Sequence, residues 1–179
     1  ICQESDYPWN GNIKIKVDGF NKFSFRLALR IPGWCRHWAV RINGAEAGEE
    51  SRFVNGYLIL DRCWSAKDEV TLVMDMPVEL LQANPRVRAN AGKTAIQRGP
   101  LVYCLEEADN GRNLSALSIA EEPDIKCTFD KEFLGGAVTI QVMGFRRKDE
   151  NWDDVLYKPL EKQDEPVQLK AVPYFLWGN

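Results

Sequence analysis

The fold class is decided by residues 23–31, which read Phe23-Ser24-Phe25-Arg26-Leu27-Ala28-Leu29-Arg30-Ile31. Apolar residues occupy every second position, and serine, alanine and arginine fill the positions between them. Successive side chains of a β-strand point to opposite faces, whereas a helix would scatter these apolar residues around its circumference. The stretch therefore predicts a β-strand with one buried face, and Pro32-Gly33 predicts its end.

The same alternation recurs on both sides of this stretch. It predicts further strands at 13–17, 38–42, 56–60 and 70–76. Asn43-Gly44 is a hairpin signal, because both residues tolerate the positive φ that tight hairpin turns require. Short strands joined by such turns are typical of an antiparallel sandwich.

The second half is organised around residues 93–106, where two short strand patterns are separated by Gly99-Pro100. Residues 138–142 and 167–172 alternate as well, whereas 112–135 shows no clear pattern and 143–166 is charged and loop-like. A helical period is not sustained over any long segment. The predicted fold class is therefore all-β, with two antiparallel, jelly-roll-like β-sandwich domains.

A linker is predicted between Leu80 and Ala91, because Pro85 and two nearby arginines interrupt any period there. We therefore expect one domain at 1–84 and a second at 85–179. The chain starts with Ile1 rather than methionine and without a signal peptide, so we expect it to be cut from a longer protein.

Composition excludes several classes of partner. Hydrophobic residues make up 45% of the chain and charged residues 27%, which suffices for a packed core. A net charge of −3 gives no electrostatic basis for binding nucleic acid or anionic lipid. No apolar run reaches the roughly 18–20 residues that span a bilayer, so no membrane partner is expected.

The five cysteines are widely spaced and include no Cys-x-x-Cys pair, and His37 is the single histidine. We therefore expect no metal site and no cofactor in this chain. We interpret the cysteines as free thiols in a reducing compartment, which favours a cytoplasmic location.

Paired carboxylates could perform acid–base chemistry on a glycosidic bond. The candidate clusters are Glu49-Glu50, Glu106-Glu107 with Asp109, Glu121-Glu122 and Asp153-Asp154. Adjacent side chains of a strand point to opposite faces, so Glu106 and Glu107 cannot serve one substrate if the strand persists. A Cys35/His37 dyad would need an orienting third group. Solvated surface is the favoured interpretation throughout, and no catalytic residue is predicted.

Aromatic residues are the remaining candidates. Trp38 and Trp64 belong to alternating patterns and are predicted to pack in a core. Tyr7, Trp9 and Trp34 lie in turns rich in proline and glycine, where contact with a ligand and contact with a neighbouring domain are both open.

Several phrases, taken in order, resemble one known family. They are Tyr7-Pro8-Trp9-Asn10-Gly11, Leu29-Arg30-Ile31-Pro32-Gly33-Trp34-Cys35, Val40-Arg41-Ile42-Asn43-Gly44, Ala95-Ile96-Gln97-Arg98-Gly99-Pro100-Leu101, and Ala171-Val172-Pro173-Tyr174-Phe175-Leu176-Trp177-Gly178-Asn179. This set is similar to the C-terminal part of glycoside hydrolase family 127, the β-L-arabinofuranosidase family.

The resemblance implies an N-terminal (α/α)₆ barrel followed by two β-sandwich domains. It places catalysis in the barrel, with a cysteine nucleophile and a zinc ion, and those motifs are not found in this sequence. The family pattern continues past Asn179, so the resemblance implies truncation at both ends. The isolated chain is expected to be inactive.

Three hypotheses follow. The preferred one is a non-catalytic region that supports the barrel or its dimerisation, with Tyr7, Trp9 and Trp34 at an interface. The second is a module that binds oligosaccharides of plant type by aromatic stacking. The third, an autonomous hydrolase, would need two carboxyl groups in one cleft.

Overall fold

The computed structural model describes residues 1–19, 22–48, 51–148, 155–157, 159 and 164–178. The chain divides into two compact units, Ile1–Pro77 and Val78–Asn179. Strands dominate both units, and every strand pair found among the described residues is antiparallel. The predicted all-β class is therefore confirmed. No helix in the described ranges is long and apolar enough to cross a membrane.

The described residues of the first unit form eight strands in two sheets. They are β1 (Cys2–Ser5), β2 (Asn12–Lys16), β3 (Phe23–Arg30), β4 (Trp38–Ile42), β5 (Ala45–Glu46), β6 (Ser51–Val54), β7 (Tyr57–Trp64) and β8 (Glu69–Met74). One sheet has the order β1-β2-β8-β4-β5, and the other has the order β3-β7-β6. Alternate residues of both sheets meet in one buried cluster, which is the arrangement of a β-sandwich.

The predicted strand at 23–31 begins at the margin of this core, where its side chains are exposed, and ends where its inward side chains are buried. Phe23 is 52% exposed, whereas Leu29 and Ile31 are buried. Trp64 is fully buried, stacks on the ring of Phe25 and donates a hydrogen bond from Nε1 to the Phe25 carbonyl at 3.0 Å. The expectation that Trp64 packs in the core is confirmed.

Two turns of the first unit are joined by the side chains of Asn43 and Asp68. Asn43 has the positive φ expected for the turn after β4, and its Nδ2 donates to Asp68 Oδ1 at 2.9 Å. The Ser65 amide donates to Asp68 Oδ2 at 2.8 Å. These hydrogen bonds lower the pKa of Asp68, because they favour its charged form.

The described residues of the second unit form seven strands and one short helix. They are β9 (Val78–Gln82), β10 (Thr94–Arg98), β11 (Leu101–Leu105), α1 (Glu107–Asn110), β12 (Leu117–Ile119), β13 (Ile125–Asp130), β14 (Ala137–Arg147) and β15 (Asp164–Pro173). Short 3₁₀ turns occupy Arg88–Asn90, Leu114–Ala116 and Tyr174–Leu176.

The described strands of the second unit form one continuous sheet rather than two facing sheets. The order is β12-β14-β15-β11-β10-β9, and β13 also pairs with β14. The long strand β14 makes this possible, because its first half pairs with β13 and its second half with β12 along the same edge. The sheet curls around its own apolar core, to which Ile96, Tyr103, Ile140 and Leu169 contribute.

The domain boundary differs from the expected position. Residues 78–82 form β9 and pair with β10, so the predicted linker begins as a strand of the second unit. Residues 93–106 form β10 and β11, and β9 precedes them. The charged segment 143–166 begins and ends as strand, because residues 143–147 of β14 pair with 164–168 of β15.

Candidate functional site

The turn that carries Tyr7 and Trp9 precedes β2 and is held by Asp6. The Trp9 amide donates to the Asp6 carbonyl at 2.8 Å, and Asn10 Nδ2 donates to Asp6 Oδ2 at 3.2 Å. The Tyr7-Pro8 peptide bond is cis. Tyr7 is 40% exposed, whereas Trp9 is half-buried.

The structure brings Tyr7 and Trp34 together. Trp34 is half-buried and packs against the core of the first unit, after the Pro32-Gly33 turn. Partial burial raises the pKa of Tyr7, and a hydrogen bond between Tyr7 and the Trp34 side chain opposes this rise. The two rings therefore form one partly exposed cluster. They are two of the three aromatic residues that the sequence singled out as candidates for surface contact.

A groove of about 580 Å³ opens beside this cluster, between the two sheets of the first unit. Tyr7 lies at its rim together with Pro32. Its walls come from β1, β2, β3 and β8, and are formed by Ile1, Gln3, Ser5, Ile13, Ile15, Leu27, Ala28, Leu29, Arg30, Leu72 and Met74. Neither Trp9 nor Trp34 belongs to the described lining, so of the three candidate aromatic residues this groove takes in Tyr7 alone.

The opposite side of the first unit is closed by aromatic rings. Trp38 of β4 stacks on Phe53 of β6, with ring centroids 5.9 Å apart. Trp38 remains 37% exposed, so it covers the end of the core and is not buried within it. The stack bridges the two sheets, and neither ring lines the groove.

The carboxylates of the predicted cluster Glu106-Glu107 with Asp109 each serve the local structure, and Glu121 and Glu122 are exposed. Glu106 Oε1 accepts a hydrogen bond from the Gly178 amide at 3.1 Å, and Glu107 Oε1 accepts one from the Asn113 amide at 3.0 Å. Asp109 pairs with Lys170 at 2.8 Å. The clusters Glu49-Glu50 and Asp153-Asp154 lie outside the described residues. Glu106, Glu107 and Asp109 therefore hold turns and strands in place.

Cys35 and His37 do not form a nucleophile–base pair. The Cys35 thiol donates to the backbone carbonyl of His37 at 3.2 Å, and burial together with the nearby Asp75 carboxylate raises the pKa of Cys35. A thiol in this environment stays protonated and is a poor nucleophile. Among the described residues, no three His, Cys, Asp or Glu side chains lie close enough to hold a metal ion. The zinc that the family resemblance implies for the barrel therefore has no matching donor set in this part of the chain.

A second exposed aromatic group follows β15. Tyr174, Phe175 and Trp177 are 58%, 57% and 61% exposed. The rings of Tyr174 and Trp177 are nearly parallel, with centroids 6.1 Å apart and an interplanar angle of 10°. The Gly178–Glu106 hydrogen bond holds the segment beside the end of β11.

Sequence reasoning missed the groove and did not recognise this aromatic group as a surface. Gln3 and Ser5 belong to β1, whose short and polar sequence gives no strand signal. Tyr174 and Phe175 carry a signal that could have identified them, since they follow Pro173, at which the sequence predicts the end of a strand and the start of a turn.

Two family models match the chain end to end. The model described as "Beta-L-arabinofuranosidase, GH127 middle domain" matches residues 1–76. The model described as "Glycoside hydrolase family 127 C-terminal domain" matches residues 78–179. These limits agree with the division into two units between Pro77 and Val78.

Individual relatives are longer than this chain. The non-reducing end beta-L-arabinofuranosidase of Bifidobacterium longum subsp. longum is 36% identical over 192 aligned positions, which cover all of this chain and 28% of that protein. A crystal structure of a GH127 beta-L-arabinofuranosidase from Geobacillus stearothermophilus T6 is 43% identical, with a TM-score of 0.92 over 98% of this chain and 28% of its own. The structure of another GH127 beta-arabinofuranosidase is 31% identical, with a TM-score of 0.83, and is covered over 29% of its length.

Proposed function

Because this chain belongs to glycoside hydrolase family 127, we propose that it is the non-catalytic C-terminal region of an enzyme similar to β-L-arabinofuranosidases. The match to the middle and C-terminal domain models carries this proposal, since together they account for both units. The relatives support it, because the chain spans 28% of the curated relative and of the G. stearothermophilus structure. Among the described side chains, no three His, Cys, Asp or Glu lie close enough to hold a metal ion, and burial raises the pKa of the Cys35 thiol.

The role we propose for the region is to support the N-terminal (α/α)₆ barrel of the parent protein. Two exposed apolar surfaces favour contact with another domain. They are the aromatic group Tyr174, Phe175 and Trp177, and the partly exposed pair Tyr7 and Trp34. Aromatic side chains of this size are enriched at interfaces, where they contribute most of the binding free energy. We propose dimerisation of the parent protein as the other role of these two surfaces.

Activity measurements test the proposal. The isolated chain is expected to give no turnover of a chromogenic β-L-arabinofuranoside, whereas the full-length parent protein hydrolyses it. Deletion of residues 1–179 from the parent is expected to lower its thermal midpoint and its yield of soluble protein. Turnover by the isolated chain, or a deleted parent with unchanged stability and activity, would contradict the proposed role.

Glycan binding is the alternative function. Tyr174 and Trp177 stack on each other, so they do not form the flat row of rings that an oligosaccharide chain would cover. Titration of the chain with arabino-oligosaccharides is therefore expected to leave tryptophan fluorescence unchanged. A saturable change that is abolished by Trp177→Ala would favour the alternative.

We also propose that the protein works in a reducing compartment, in agreement with a cytoplasmic location. All five cysteines are free thiols: Cys2, Cys35, Cys63, Cys104 and Cys127. Proteins of oxidising compartments more often pair their cysteines.

A further inference from the structure

We propose that an extended segment of the same polypeptide, outside residues 1–179, pairs with the open edge of β3 and fills the groove of the first unit. The inference rests on the proposed function in one respect, because it takes the chain to be part of a longer protein. Addition of a strand to a sheet edge uses main-chain hydrogen bonds for affinity and side-chain pockets for specificity.

The edge of β3 offers a row of backbone groups. In the described part of the chain β3 pairs with β7 alone, and its eight residues extend over roughly 27 Å. The Ile31 amide donates to the Gly56 carbonyl at 2.9 Å and continues the β3–β7 register. Bonded and non-bonded pairs alternate in an antiparallel ladder, so Leu29 also bonds to β7, whereas the N–H and C=O groups of Ala28 and Arg30 point away from it.

The groove has the shape of a missing strand. Four consecutive residues of β3, 27–30, line it, although their side chains alternate between the two faces of the sheet. The backbone edge itself therefore borders the groove. By contrast, β1 contributes alternate residues, Gln3 and Ser5, and so presents its inner face. A strand in the groove would lie beside β3 and under β1.

The apolar side chains that line the groove determine which kind of segment fits into it. Ile13 and Leu27 are half-buried against the core of the first unit, and Leu72 below them is buried. An occupant with apolar residues at alternate positions would complete their burial. The Trp38–Phe53 stack bridges the two sheets elsewhere, and neither ring lines the groove, so the stack leaves this place open.

A segment of the same polypeptide is favoured over a second copy of the chain. The outward face of β3 carries Arg26, which pairs with Asp61, and Arg30, so pairing of two β3 edges would bring the Arg30 guanidinium groups of both copies onto one face. Like charges on neighbouring strands are unfavourable. The relatives have more than two thirds of their length outside the matched region, and a tethered segment is present at a high effective concentration.

Hydrogen exchange in the full-length protein tests the pairing within one strand. The amides of Ala28 and Arg30 face the groove, and those of Leu27 and Leu29 face β7 and serve as internal references. If a strand occupies the groove, the two groups exchange within about tenfold of each other. Exchange at Ala28 and Arg30 more than about a hundredfold faster than at the references would overturn the inference.

Two further measurements identify the occupant. Ala28→Pro removes a groove-facing N–H and is expected to speed exchange at Arg30 by at least about tenfold, whereas Ala28→Gly keeps the N–H and serves as the matched control. A photo-crosslinking benzoylphenylalanine in place of Gln3 is expected to couple to a segment of the same molecule outside 1–179. Coupling to a second copy, or only to residues within 1–179, would overturn the inference. Neither result would affect the activity test of the proposed function.

Discussion

At the scale of single residues, Asp68 shows how one carboxylate holds two turns of the first unit. Its oxygens accept from the Ser65 amide and from Asn43 Nδ2, and the Glu69 amide donates in turn to Asn43 Oδ1 at 2.9 Å. Replacement of a carboxylate in such an arrangement leaves donors without an acceptor. The sandwich therefore depends on the charged form of Asp68.

We predict that this dependence appears as a pH effect. The folded-state pKa of Asp68 is lowered, so its contribution is present above the unfolded value of about 3.9 and is lost as the pH falls through the folded pKa. Asp68→Asn is expected to cost about 1–2 kcal/mol of unfolding free energy at pH 7, and less at pH 3. Urea unfolding at both pH values measures the difference.

The control for this prediction is Asp61→Asn. Asp61 pairs with Arg26 at 2.7 Å, but both side chains are more than half exposed, so its loss is expected to cost less than about 1 kcal/mol. An Asp68→Asn variant with the same deficit at pH 3 and pH 7 would contradict the role of the charge.

The sequence predicted some residue positions and not others. The Asn43-Gly44 turn and the buried Trp64 follow from local patterns, since hairpin chemistry and strand alternation act over a few residues. The neighbourhood of Tyr7 and Trp34 does not, because the two residues are 27 positions apart and their contact depends on how the sheets face each other. The turn signals in the sequence therefore could not predict that Tyr7 and Trp34 form one cluster, and the structure shows it.

At the scale of elements, β14 depends on a glycine. A Cβ atom at Gly144 would lie 2.4 Å from the Ser118 carbonyl oxygen and 2.6 Å from Leu169 Cδ1. These distances are shorter than van der Waals contact, and the carbonyl belongs to the β12 backbone and cannot move independently. Gly144 thus permits β12 and β15 to approach β14 closely.

We predict that Gly144→Ala destabilises the second unit by about 1–3 kcal/mol through overpacking. Chemical denaturation of the variant measures this cost. Gly33→Ala provides the comparison, because a Cβ there meets nothing within 4 Å, and its effect is expected to stay within about 0.5 kcal/mol. Equal effects of the two substitutions would show that the close approach at Gly144 does not control stability.

Strand alternation predicted the centres of both units but not their margins. The runs at 13–17 and 23–31 were recognisable because one face is buried and the other is more exposed, whereas 138–142 was recognisable from its alternating valine and isoleucine residues although Thr139 between them is also buried. β13 has mostly exposed residues on both faces, so its sequence carries no period. β9 is half-buried at four successive positions, which obscures the contrast on which sequence interpretation depends.

At the scale of the whole molecule, the five thiols form two classes. Cys2, Cys63 and Cys127 are exposed, whereas Cys35 is buried and Cys104 is half-buried. Burial raises the pKa of Cys35 and of Cys104, which lowers the thiolate fraction that reacts with disulfide reagents.

We predict that a chromogenic disulfide reagent at pH 8 modifies three thiols of the native chain rapidly and two slowly. The count is read from the released thiolate, and unfolding in guanidinium is expected to make all five react at one rate. Cys35→Ser and Cys63→Ser distinguish the classes, because the first should remove a slow thiol and the second a fast one. Five equally fast thiols in the native chain would contradict the burial of Cys35 and Cys104.

The open edge of β3 also bears on how the isolated chain behaves in concentrated solution. In the described part of the chain β3 is an edge strand of eight residues, and such an edge is a template for other extended chains and a source of aggregation. The Arg30 charge opposes pairing of β3 with a second copy of itself, so salt that screens this arginine should reduce solubility. Storage at low ionic strength is therefore expected to preserve the chain longer than storage at high ionic strength.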